Sequence, residues 1–371
     1  MTAKKKVEPD LGKRLIQFTK TIKGRGTWTL TELSRKFDAT VPKLEETIAA
    51  LSKKGYEINV ESGVVEYLRN APPGTLTSHF WRLKEGGWLR FGVLGDTHLG
   101  STKQRLDILN TAYDHFESEG IDTVYHHGNM VDGYHPRINA FELIAGAGTS
   151  IESQVAYAHQ VYPQKDGIKT YFVTGDCHEG WWAKSSGVNV GRVMQNRFML
   201  PESCQEMVWK DGHARRMCTD TIRDGYCTEH GRRDLIYLGH EEADLELRTP
   251  NLKRGVRGPI IRILHPGGGS AYALSYTTQK IAEHLQGGEK PAIQFVGHYH
   301  KYDVNYHREI FNVQAGCLED QTLFMRKNKL AAHVGYLIAE VFVGSDGVVE
   351  RFRHEFKPFY DRGFYGIRNQ K

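Results

Sequence analysis

Residues 89–98 read Leu-Arg-Phe-Gly-Val-Leu-Gly-Asp-Thr-His. The first six form the short, mostly apolar run of a buried strand, and the run stops at a glycine followed by an acid and an imidazole. A strand ending this way delivers polar groups to a loop at the sheet edge, where loops from neighbouring strands can converge. The same grammar recurs downstream. A strand over 121–126 leads into His126-His127-Gly128-Asn129-Met130-Val131-Asp132-Gly133, and one over 169–174 into Gly175-Asp176-Cys177-His178-Glu179. Ile260–Leu264 is followed by His265-Pro266-Gly267-Gly268-Gly269, and Ile293–Val296 by Gly297-His298-Tyr299-His300.

A single D-x-H or H-x-H is usually a satisfied polar pair. Five such blocks, each after a strand and each beside glycine, point to metal chemistry. Imidazole suits Mn, Fe, Zn or Ni, a carboxylate can bridge two cations, and glycine lets backbone approach closely. Helices expected over 103–117, 150–163, 187–198 and 272–286 alternate with these strands and one over 234–238. With a strand-rich end that includes 336–343 and 348–356, this makes an α/β domain with an additional all-β portion.

In their order these blocks closely resemble those of the calcineurin-like metallophosphoesterases: D-x-H, G-D-x-x-D, G-N-H-D/E, H and G-H-x-H. The resemblance covers about residues 89–345. It implies a four-layer α/β/β/α sandwich with a dinuclear metal centre, Mn2+ foremost, with Fe, Zn, Ni or Mg as alternatives. By that resemblance Asp96, His98 and His300 would bind one metal and position 129 would bridge both. The residue before His178, with His265 and His298, would bind the other. His178 itself would act as general acid or transition-state stabiliser, oriented by Asp132 or Glu179.

Two positions depart from the family pattern. A bridging Asp is replaced by Asn129, a neutral amide that bridges cations poorly: either a natural weakening or an inactivated variant. The family's Asn is replaced by Cys177, preceded by Asp176; the thiolate or the Asp176 carboxylate could supply the ligand, and hard oxygen suits Mn or Mg better.

Working outward, residues 1–70 carry 14 Lys/Arg and 9 Asp/Glu, whereas the remainder holds 35 of each, so the net charge of +5 sits entirely at the N-terminus. A helix over 11–23, a capping box at Thr29-Leu30-Thr31-Glu32, a helix through Phe37, and a helix with Pro42 in its first turn precede a hairpin around Glu61-Ser62-Gly63. That order resembles a winged helix-turn-helix over 1–70, whose basic residues would hold DNA phosphates. Lys43, Lys53 and Lys54 are candidate contacts, although Glu45 and Glu46 make that helix a poor base reader. Trp181 and Trp182 could stack bases beside the metals. Residues 71–87, which begin within the stretch Asn70-Ala71-Pro72-Pro73-Gly74, read as a linker to a catalytic domain over 88–371.

Residues 201–232 read as an insertion holding Cys204, His213, Cys218, Cys227 and His230. Ordinary reduced thiols are the default there; a structural zinc is the alternative, since Cys-x8-Cys-x2-His matches no common finger. Five cysteines form no paired framework, no apolar run reaches the length of a membrane span, and the first residues carry no apolar leader. These features favour a reducing cytoplasm and no membrane partner. The combined expectation is a metal-dependent DNA nuclease or phosphodiesterase, similar to the SbcD-type nucleases and to phage-encoded phosphoesterases. It departs from the SbcD type in its N-terminal extra domain and in lacking a recognisable capping domain. A phosphomonoesterase and a weakened DNA-binding or scaffold protein are the alternatives, and a second copy of the chain is a candidate partner.

Overall fold

The computed structural model describes Leu11, Leu15 and residues 27–53, 58–61, 63–67, 76–80 and 88–359. Within the last span 136–138, 140, 211–212, 217, 224, 254–255, 270, 272 and 287–289 are excepted. The expected helix over 11–23, Lys54 and the residues after 359 lie largely or wholly outside the described set, and of the Lys53 side chain nothing is described.

The N-terminal unit comprises β1 (Thr27–Thr29), α1 (Leu30–Phe37), α2 (Val41–Lys53), β2 (Ile58–Glu61) and β3 (Val64–Tyr67). Thr29 and Glu32 form the reciprocal cap: the Glu32 amide donates to Thr29 Oγ1 at 3.1 Å and the Thr29 amide to Glu32 Oε2 at 2.9 Å. Asp38 ends α1 in the left-handed region at φ 49°, turning the chain into α2. Leu30, Leu33 and Phe37 of α1 pack on Leu44, Ile48 and Leu51 of α2, with Leu15 and Val65 closing the core. The three antiparallel strands lie in the order β1-β3-β2.

The larger part runs through β4 (Leu76–Phe80), β5 (Trp88–Leu94), α3 (Leu106–Ser118), β6 (Thr123–His126), α4 (Ile151–Val161) and β7 (Lys169–Thr174). It continues with α5 (Gly180–Ser186), α6 (Val190–Met199), hairpin strands β8 (Met207–Lys210), β9 (His213–Arg216), β10 (Ile222–Arg223) and β11 (Tyr226–Cys227), then β12 (Leu235–His240) and β13 (Glu242–Arg248). Last come β14 (Ile260–Leu264), α7 (Tyr276–His284), β15 (Ile293–Val296), β16 (Tyr302–His307), β17 (Ile310–Ala315), α8 (Leu323–Lys327), β18 (Gly335–Val343) and β19 (Val349–Pro358).

These strands make two six-stranded sheets, β12-β7-β6-β5-β18-β19 and β16-β17-β15-β14-β13-β4. Phe91, Val93, Tyr125, Val173 and Leu337 of the first share one apolar core with Leu245, Ile261, Ile263, Phe295 and Val313 of the second. Phe91 meets Phe295 edge-on across that core, with ring centroids 5.9 Å apart. On its other face the first sheet is covered by α3, α4 and α6, through Leu109, Phe116, Val155, Met194 and Phe198. Ile281 of α7 packs on Leu264 and Val296 of the second sheet. The expected mixed α/β architecture is therefore present, and among the described residues no helix is long and apolar enough to cross a membrane.

Three differences from expectation stand out. Residues 76–80, placed in the linker, form an edge strand parallel to β13. The helix expected over 187–198 is preceded by a separate one, α5. The expected insertion folds as two short hairpins. For the site, the decisive point is polarity: β5, β6 and β7 are mutually parallel, as are β14 and β15, so within each sheet the loops after these strands emerge at one edge.

Candidate metal centre

Among the described residues, Asp96, His98, Asn129, His178, His298 and His300 all have positive φ, between 43° and 78°. Non-glycine residues rarely adopt this conformation, and it persists only where the surroundings impose it. Each of the six follows a strand end, and each is a residue singled out by the sequence blocks. The backbone is bent to turn these side chains towards one another.

Asp96, wholly buried, is the centre. Its Oδ1 lies 3.6 Å from His98 Nε2, 3.4 Å from His300 Nε2 and 3.7 Å from His265 Nε2, and its Oδ2 lies 3.5 Å from His127 Nδ1. Two sets of converging donor atoms result, Asp96–His98–His300 and Asp96–His127–His265. The carboxylate common to both is Asp96, whereas position 129 had been expected to bridge. Burial opposes ionisation of Asp96, yet His265, His300 and His98 hold its carboxyl well below the usual range.

Several buried polar atoms make no hydrogen bond among the described residues: both ring nitrogens of His127, Nε2 of His265, Nδ1 of His300 and Oδ1 of Asn129. Such groups are costly to bury unless something satisfies them. His265 is oriented for a ligand's role, because its Nδ1 donates to the His127 carbonyl at 2.6 Å and its Nε2 is left as a lone pair. Burial holds His265 neutral, with its pKa brought down to about 3, and lowers His127 and His298 in the same way. His98 is the opposite case: burial disfavours its charge, but Glu319, Asp132 and Asp96 raise it well above the ordinary imidazole range. The negative potential that would protonate His98 is the potential that would hold a divalent cation. His98 Nε2 and His300 Nε2 also lie only 3.2 Å apart, as two ligands on one ion do. By donor type, unpartnered lone pairs and field, these residues fit metal ions.

Around the donors stands a supporting set. Asp132 Oδ1 lies 2.9 Å from His98 Nδ1 and 3.2 Å from His178 Nδ1. Of the two carboxylates expected to orient His178, Asp132 makes the contact. Glu179 instead accepts the backbone amides of Asn129, Gly175 and Val131 at 2.9, 2.8 and 3.3 Å, tying two loops together. Gly175 must be glycine, since a Cβ there would lie 2.3 Å from Asn129 Oδ1 and 2.6 Å from the His265 ring. Asn129 presents its amide nitrogen to Asp96 Oδ1 at 3.4 Å.

Other sequence candidates go elsewhere. Asp176 pairs with Lys184 at 2.5 Å and belongs to no converging donor set; Cys177 lies 3.8 Å from Asp176, and burial together with Asp176 raises its thiol pKa. In this structure α5 places Lys184 beside the Asp176 carboxylate, and neither residue joins the converging donors. His298 is near the centre, its ring 5.5 Å from that of His265 and its amide donating to Asp96 Oδ2 at 2.9 Å, but its Nε2 is bonded to the Gly268 carbonyl. Trp182, partly exposed, packs on the helix-side core, and Trp181 lies against His135 with centroids 4.2 Å apart. Lys43 is paired with Glu46 on the same helix, at 2.7 Å.

Two residues at the centre escaped the sequence reading. His127 stands inside the second block, where its pairing with His126 was the available signal. Glu319 accepts from Ser101 Oγ at 2.6 Å, lies 3.8 Å from His98 Nε2 and is pushed by burial up to about 7.

The sequence matches no family model and no curated protein. Among solved structures it is similar to an archaeal phosphodiesterase, at 9% identity over 72% of this chain and 100% of that one, with a TM-score of 0.31. It is also similar to a predicted phosphoesterase of Streptococcus pneumoniae TIGR4, at 13% identity over 73% and 98% of the two chains (TM-score 0.29). The Zn2+ complex of wild-type Vps29 from Entamoeba histolytica matches at 12% identity over 73% and 100%, with a TM-score of 0.29. Similarities at this level assign no chemistry to individual residues of this chain.

Proposed function

We propose that this chain is a metal-dependent phosphoesterase whose fold is the four-layer α/β/β/α sandwich. In this reading it hydrolyses a phosphodiester of DNA at the Asp96 centre, and residues 1–70 act as a winged helix that positions it on the duplex. The carrying observation is that one buried carboxylate, Asp96, stands between two imidazole sets whose unpartnered nitrogens include those of His127 and His265. Asp96, His98 and His300 would hold one divalent ion, and Asp96, His127 and His265 the other. Mixed carboxylate and imidazole donors suit Mn2+.

Bound divalent ions would neutralise phosphoryl oxygens and acidify water at this position. The protein's part is orientation and proton transfer. Asp132 fixes His98 so that Nε2 points at Asp96. The backbone carbonyl of Asp132 accepts from Nδ1 of His178 at 3.0 Å, with the carboxylate 3.2 Å away, and the His178 ring is about one-fifth exposed (21%), which lets Nε2 reach a substrate. In that tautomer His178 can protonate the leaving oxygen once it is itself protonated. DNA is favoured as substrate because the whole net charge of +5 resides in residues 1–70, which supply phosphate attraction to a neutral catalytic part.

Asn129 supports a second reading, a protein that keeps the fold with weakened chemistry, since an amide nitrogen, not a second carboxylate oxygen, faces Asp96. Mn2+-dependent hydrolysis of bis-p-nitrophenyl phosphate and its monoester, followed by single- and double-stranded DNA, separates these readings. The nuclease reading fails if Asn129→Asp protein cleaves monoesters efficiently and leaves every DNA intact.

A further inference from the structure

We infer that Cys204, Cys218, Cys227 and His230 bind one structural Zn2+, which fastens the 201–232 insertion to the catalytic part. The four ligand atoms all lie within 4.8 Å of one another. Cys218 Sγ is 3.9 Å from Cys227 Sγ and 3.8 Å from His230 Nδ1, and Cys227 Sγ is 3.6 Å from the same nitrogen. These are close to the edges of a zinc tetrahedron: with Zn–S near 2.3 Å and Zn–N near 2.0 Å, the S···S edge is about 3.8 Å and the S···N edge about 3.5 Å. A disulfide would need sulfurs about 2 Å apart and would leave the third thiol and the imidazole unexplained.

The Asp220 carboxylate, 3.3 Å from both Cys218 Sγ and His230 Nδ1, lies at the rim. Four protein ligands leave no open position, the mark of a structural zinc and not of a catalytic one.

The location explains the need. Cys204 closes the short 3-10 turn Glu202–Cys204 after α6, while Cys218 precedes the β10–β11 hairpin, Cys227 ends β11 and His230 follows it. Among the described residues, the apolar cores include none from 200–232. Isolated two-stranded hairpins are marginal, so a metal supplies the cohesion that burial does not. Immediately downstream, buried Arg232 donates to the carbonyls of Tyr162 and Pro163 at 2.6 and 2.7 Å, seating the metal knuckle against the end of α4. The spacing Cys218-x8-Cys227-x2-His230 looked unlike a finger because Cys204, the fourth ligand, precedes it by more than a turn.

The test uses the full chain loaded with Co2+ after zinc removal, independently of any hydrolytic activity. Tetrahedral cobalt–thiolate absorption is expected in the parent and in His265→Ala, and its loss in Cys227→Ser and Cys218→Ser. In the unsubstituted protein, Cys204, Cys218 and Cys227 should resist alkylation with zinc bound and react once a chelator removes it. The inference is overturned if the thiolate bands survive both serine substitutions, if the three thiols alkylate equally with and without zinc, or if mass mapping of unreduced protein finds a Cys218–Cys227 disulfide.

Discussion

Asp132 Oδ1 lies 3.2 Å from Nδ1 of His178, and the same carboxylate oxygen lies 2.9 Å from Nδ1 of His98. One residue thus orients both imidazoles, its carboxylate facing Nδ1 of each and its backbone carbonyl accepting from Nδ1 of His178 at 3.0 Å. Burial opposes ionisation of Asp132, but contacts with His178 and His98 hold it below its usual range, so the anion is available for both.

Asp132→Asn should therefore lower kcat by less than the roughly 10²- to 10⁴-fold of losing the acid itself, because the Asp132 carbonyl still holds His178, with a smaller effect on KM. His178→Ala should penalise poor leaving groups more than p-nitrophenolate, which departs without a proton. Steady-state kinetics on an aryl and an alkyl phosphodiester check this; equal losses on both would remove His178 from the general-acid role.

Gly175→Ala should weaken metal binding by at least about tenfold, because the added Cβ meets Asn129 Oδ1 and the His265 ring, and 1 Å misplacements at such sites are costly. Isothermal titration with Mn2+ measures it, with circular dichroism confirming that the sheets persist.

Glu319 gives a pH prediction for the metal-free protein. Its folded pKa, raised by burial to about 7 from 4.5, means that the folded state retains a proton that the unfolded state loses between these values. Stability should fall as pH rises through that window, by up to about 3 kcal/mol from this group. Urea unfolding at pH 4.5 and 7.5 should show the slope, and Glu319→Gln, which keeps an acceptor for Ser101, should flatten it.

Deleting residues 1–70 should weaken DNA binding and reduce its salt dependence, each lost phosphate contact lowering the slope of log K against log salt by about 0.9. Unchanged affinity and slope in fluorescence anisotropy titrations would assign the DNA contact elsewhere.

Much of the centre was legible because each block is local: a strand, a glycine and a polar residue within a few positions, as in Gly95-Asp96-Thr97-His98. What escaped was set by tertiary contact. Asp176 and Cys177 could not be told apart as ligands without seeing Lys184 one helix later take the carboxylate. Residues 76–80 read as linker because their strand partner, β13, lies far along the chain. Glu319 carries no motif, and it reaches His98 only because β17 and β18 bring its loop under the site. Trp181 and Trp182 looked alike in sequence, yet their different directions on α5 set one against His135 and the other against the helix-side core.

The proposed two-metal centre around Asp96 would be limited by the amide at Asn129. The direct measurement is Mn2+ stoichiometry, with kcat/KM on bis-p-nitrophenyl phosphate, for this chain beside Asn129→Asp. Restoring a carboxylate should raise occupancy to two ions and hydrolysis by at least about tenfold. Unchanged metal content, with no Mn2+-dependent hydrolysis of any phosphoester by either protein, would contradict the account.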